Sequence, residues 1–152
     1  MKVSIRVSGL DKQQRMLSKL KRHVFSLRGA MEEIGDEAIK YYQGQGFASQ
    51  GGVFGERWPK LASSTVRSKI RSYPQYANVP LMRTGRMKES FIKKVGNKQV
   101  EITNEASYFK YHQSTASRSR LPRRTMLGIN DPIKRMIKEV IEKDIRKQIK
   151  VL

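Results

Sequence analysis

Leu17, Leu20, Val24, Leu27, Met31, Ile34 and Ala38 advance by 3, 4, 3, 4, 3 and 4 positions, and Gly44, Gly46, Gly51, Gly52 and Gly55 then fall within a dozen residues. The first pattern lines one face of a helix. It predicts either one helix of about 32 residues, about 48 Å long, or two helices broken near Ser26 to Gly29, where Ser26 can cap a second helix and Gly29 weakens the middle. Such a stripe ordinarily packs into a core; its other use is against a neighbouring subunit. The glycines end the helix and predict a flexible loop over about 44–57. It is not a phosphate loop, because the G-x-x-x-x-G-K-[ST] spacing is missing and no strand precedes it. Trp58 then re-docks the chain on the core.

The remaining punctuation predicts an α+β domain. Val3, Ile5 and Val7 alternate as a first strand. Ser63 or Ser64 can cap a short basic helix through about Ile70, and Thr84 another over Gly85 to Ser90. Phe91–Val95 and Val100–Thr103 read as strands joined at Gly96-Asn97-Lys98. The aromatic run Ser107–Gln113 fits a third strand or a short helix, and Thr125–Ile129 a last strand. Asn130-Asp131-Pro132 is a strong helix start, followed by an apolar face through Ile149 and by Glu139–Lys143 and Glu142–Arg146 at i,i+4. Residues 1–152 thus read as a single domain. It has a mostly antiparallel sheet, a long N-terminal helical stretch and a C-terminal helix packed on it.

Charge narrows the function. Lys and Arg number 32 against 13 Asp and Glu, a formal net charge of +19. Arg57 to Lys88 holds eight basic residues and no acid (Arg57, Lys60, Arg67, Lys69, Arg71, Arg83, Arg86, Lys88). Ser107 to Arg124 is also free of acids, and its part from about 114 to 124 reads as an exposed basic loop. Such a field attracts nucleic acid or an acidic protein surface. The chain has no cysteine and two histidines. That excludes disulfides, thiolate nucleophiles and thiolate metal sites, and no cofactor or metal is expected. No window is apolar enough for a membrane span, and the alternating N-terminus is unlike a signal peptide, so a soluble intracellular product is expected.

Catalytic patterns are missing too. His112 has no acid in the basic stretches around it to orient it as a base. There is no G-x-S-x-G, H-E-x-x-H or paired-carboxylate pattern, and no enzyme is expected. As a nucleic-acid binder the chain has charge but no reading motif, although Tyr108, Phe109 and Tyr111 beside Lys110 could stack bases.

One succession of residues is more specific. Phe47 and the glycines lead to Trp58-Pro59-x-Leu61-x-x-x-Thr65-x-x-x-Lys69. Leu81-x-x-Thr84-Gly85-x-Met87-x-x-Ser90 follows, then Tyr108-x-x-x-His112-Gln113, and last Leu121-Pro122-Arg123-Arg124-x-x-Leu127-Gly128. From about Phe47 onward this resembles the phage virion morphogenesis family, the tail-completion proteins of Mu-like tailed phages and prophages. Three features depart from the family pattern: Ser114-Thr115-Ala116 where a glycine usually follows the His-Gln pair, Met87 in place of a common leucine, and the basic insert Arg118-Ser119-Arg120.

The resemblance implies a structural role without catalysis, as a tail-completion or terminator, or head–tail joining (neck), component. It implies a ring, usually of six copies, in the virion and, during assembly, in the host cytoplasm. The implied partners are further copies of the chain, tail-tube or connector proteins, and DNA in the lumen; the alternative is a basic nucleic-acid-binding protein. On this resemblance Trp58 and Leu61 anchor the loop's end, Thr84 caps and Gly85 allows close approach, and Tyr108, His112 and Gln113 hold the turn into the basic loop. Thr65, Leu81, Ser90, Leu127 and Gly128 complete the motif. Arg118, Arg120, Arg123 and Arg124 are the expected intersubunit or anion contacts.

Overall fold

A computed structural model describes residues 10–116 and 120–151. The expected strand at Val3–Val7 and Arg118 lie outside them. The apolar stripe folds as two helices, α1 (Leu10–Phe25) and α2 (Arg28–Tyr41). Ser26 is not the cap: Leu27 occupies that position with no side-chain cap bond. Its backbone N–H instead donates to the carbonyl of Asn97 at 2.7 Å. The break is therefore tied to a turn some 70 positions later in the chain, a contact no local pattern contains.

The glycines do not stop the helix at Gly44. It passes through a π turn at Tyr42–Gly46 and continues to Ala48. The chain then turns at Gly51, which has φ +81°. A Cβ there would overlap the Trp58 indole, so this position needs glycine for both conformation and space.

Next come α3 (Ser63–Ser72), α4 (Arg86–Glu89), β1 (Phe91–Val95), β2 (Val100–Asn104), α5 (Phe109–Gln113) and α6 (Asp131–Val151). Neither Ser63 nor Ser64 caps α3; Ala62 holds that position. β1 and β2 form an antiparallel hairpin in which Phe91 faces Asn104 and Val95 faces Val100. The domain is α+β, but this pair is the whole sheet among the described residues. The 109–113 run is a helix, and Thr125–Ile129 is extended without pairing in a ladder. The backbone N–H groups of Met126 and Leu127 both bond the Gln113 side chain, which takes the place of a strand partner.

The Asn130 cap does form: its side-chain oxygen accepts the Ile133 N–H at 3.2 Å. α6 lies along α2, burying Ile133 and Val140. The expected Glu139–Lys143 pair is not what forms; Lys143 reaches Glu33 on α2 at 2.8 Å, joining the two helices.

Two apolar clusters hold these pieces. Phe91 is the hub of the larger, with Tyr42, Phe47 and Phe109 around it at ring-centre distances of 6.0, 6.4 and 6.2 Å. Phe47 stands edge-on to Trp58 at 5.1 Å. Ala30, Met31, Ile34 and Val140 form the smaller cluster between α2 and α6.

Candidate functional site

Part of the residues that carry the family resemblance converge on one cleft of about 860 Å³. α3 supplies Thr65 and Lys69. The 60–62 segment brings Lys60 and Leu61, and the turn before β1 brings Leu81, Thr84 and Gly85 with Arg83 and Arg86. Tyr108, just before α5, and His112 within it close the cleft, with Arg120 and Arg124 from the basic segment. Six cations line it, and no carboxylate does among the described residues.

The floor is built from buried cations held by backbone carbonyls. Lys69 donates to the Val79 carbonyl at 2.7 Å. Arg124 donates to Pro59 at 3.0 and 3.2 Å and to Lys60 at 3.5 Å. Both are 5% exposed. Burial lowers the pKa of each, and the neighbouring Arg83 lowers that of Lys69 further. Carbonyl dipoles satisfy these donors without neutralising them, so the positive charge remains at the floor of the cleft.

The wall holds two left-handed residues. Gly85 has φ +84° and sets the entry to α4, where Thr84 Oγ1 accepts the Arg86 N–H at 3.4 Å. Leu81 has φ +59°, which is costly for a branched side chain, by about 1–3 kcal/mol.

Other motif residues hold the frame. Trp58 Nε1 donates to the Thr125 carbonyl at 2.7 Å. Gln113 Nε2 donates to the Leu127 carbonyl at 2.9 Å, while its Oε1 accepts the Met126 and Leu127 N–H groups at 2.8 and 3.2 Å. Ser90 donates back to the Arg86 carbonyl, and Gly128 offers its carbonyl to the Tyr42 hydroxyl at 3.1 Å. Arg123 is exposed and reaches the Gln113 carbonyl at 3.3 Å. Lys69 closes the Trp58 motif but, like Lys60, Arg83 and Arg86, is not among the expected contact residues; the signal for all four is the acid-free stretch from Arg57 to Lys88.

No group of three or more His, Asp or Glu is placed to hold a metal ion, and no helix is long and apolar enough to cross a membrane, among the described residues. The arrangement suits anion binding. Residues 9–146 match the family model described as the phage virion morphogenesis family. No curated protein and no solved structure matches the chain.

Proposed function

The chain belongs to the phage virion morphogenesis family, and on that premise we propose that it is a structural component of a tailed phage or prophage, without catalysis, that completes the tail or joins it to the head as a ring of copies. The family match over nearly the whole chain carries the reading. Two physical features support it. The apolar stripe begins on α1, where Met16 and Leu17 are 43% and 63% exposed in the single copy, a face suited to a neighbouring subunit. A ring also multiplies the +19 charge by its copy number, which favours acidic virion partners or DNA in the lumen.

Purified particles of the phage should contain the chain, and negative-stain images of the isolated protein or of tails should show closed rings, six-fold by expectation. A chain absent from purified virions and tails ends the reading. The rival, a basic protein that coats DNA, is favoured by the net charge. It predicts a DNA affinity that collapses by orders of magnitude between low and moderate salt.

A further inference from the structure

We propose that the cationic cleft is a docking groove for an extended peptide segment, rich in Asp and Glu with interspersed apolar residues, from another protein of the virion. This rests on the assembly reading only for where the partner comes from.

The cleft has two kinds of surface. Lys60, Arg83, Arg86 and Arg120 are exposed at its rim, whereas Leu61, Leu81 and Met82 offer half-buried apolar wall. Below them Lys69 and Arg124 keep their charge while their donors meet carbonyls. A ligand matching all of this carries carboxylates and aliphatic groups together.

The densest acidic run of a second copy, Glu32 to Glu37, is a poor source of such a ligand. The acidic face of α2 is already committed: Glu32 and Asp36 pair with Lys93 at 2.6 and 2.7 Å, Glu33 with Lys143 and Glu37 with Lys40. Nucleic acid fits less well. A duplex would meet the rim cations and leave the apolar wall wet. A single strand stacks on successive aromatic faces, and the cleft offers one exposed tyrosine, Tyr108, because the ring of Tyr73 is already covered by the Arg83 guanidinium at 5.3 Å.

The test uses fluorescence anisotropy at physiological salt with a labelled dodecapeptide of four Asp-Glu-Leu repeats. Controls are the Asp-Glu-Gln analogue, a twelve-nucleotide oligothymidylate and a twenty-base-pair duplex. The Asp-Glu-Leu peptide should bind best. Arg83→Ala with Arg86→Ala should weaken it about tenfold, and Met82→Asp should weaken it comparably. Arg135→Ala with Lys147→Ala on α6 removes the same charge and should leave binding unchanged. All these positions lie at or near the surface, and unchanged melting temperatures verify the folds. The proposal is overturned if the peptide does not bind, if the α6 pair weakens it as much as the cleft pair, or if the Asp-Glu-Gln peptide binds equally. Tighter binding of oligothymidylate or duplex through the same arginines overturns it in favour of nucleic acid. A chain found in virions that fails these tests loses the groove and keeps the assembly role.

Discussion

The guanidinium of Arg124 grips the carbonyl of Pro59 through two N–H groups, 65 positions away in the chain. The next residue on each side repeats the tie, since Trp58 donates to Thr125. Together they fasten the end of the glycine-rich segment to the unpaired extended segment before α6. Arg124 thereby gains a fold-keeping task, and among the described arginines of the basic segment the exposed Arg120 and Arg123 are the ones open to a neighbour.

Arg124→Met should therefore cost about 2–3 kcal/mol, because it leaves the Pro59 carbonyl without its charged donor. Arg123→Ala should stay within about 0.5 kcal/mol. Urea denaturation of the two variants makes the comparison, and equal midpoints would show that the Arg124 clamp adds nothing.

Trp58→Phe keeps an aromatic ring but removes the five-membered ring with its N–H from a buried site, so a loss of about 2 kcal/mol is expected. Gly51→Ala should cost more, about 3 kcal/mol, because it adds strain at φ +81° to a clash with the indole. Thermal melts that rank the two in the opposite order would contradict the close approach of Gly51 to Trp58.

Gln113→Ala removes three hydrogen bonds from the 126–127 backbone. A loss of about 2–3 kcal/mol is expected, with faster hydrogen exchange at the amides of Met126 and Leu127. Protection of those two amides equal to that of the parent would show that something else holds this segment.

Alkaline pH should separate the buried Lys69 from the half-buried Lys93. Lys69 has its pKa lowered from 10.5 by burial and by Arg83. The unfolded chain then holds more protons at this site between the lowered value and 10.5, so its contribution to stability rises with pH across that window. For Lys93, burial lowers the pKa, but hydrogen bonds and charge from Asp36 and Glu32 outweigh it and hold the pKa above 10.5. Its contribution is present in full below 10.5 and is lost as pH rises through the raised value. Lys69→Met should remove the gain below 10.5, and Lys93→Met the loss above it. Identical stability–pH slopes in parent and variants would refute both assignments.

Leu17→Asp puts a charge on the exposed face of α1. Little change in the melting temperature is expected, together with loss of closed rings in native mass spectrometry. Rings that persist would remove α1 from the subunit interface.

The hairpin and the start of α6 were legible in the sequence because their signals are local. The turn residues Gly96-Asn97-Lys98 between two short strand-like runs and the Asn-Asp-Pro triplet act within a few positions. The last strand failed, and the run Ser107–Gln113 stayed open between strand and short helix, for the same reason. Phe109–Gln113 is apolar enough for either state, and burial of Phe109 against Phe91 together with the bonds from Gln113 selected the helix. The site was legible as a set of motif residues, not as a cleft. Nothing local shows that the acid-free stretch from Arg57 to Lys88 folds around the same space as Arg120 and Arg124.

The amino-acid order alone determined the α+β class, the two amphipathic helical faces, the family and a large positive charge. The class, the faces and the charge follow from periodicity or composition, and the family from the resemblance of its motif residues. Tertiary structure decided where the stripe breaks, which arginine is spent on backbone carbonyls, and that six cations share one cleft with no acid lining it among the described residues. Those outcomes depend on hydrogen bonds and desolvation between segments far apart in the chain, such as Leu27 with Asn97 and Arg124 with Pro59.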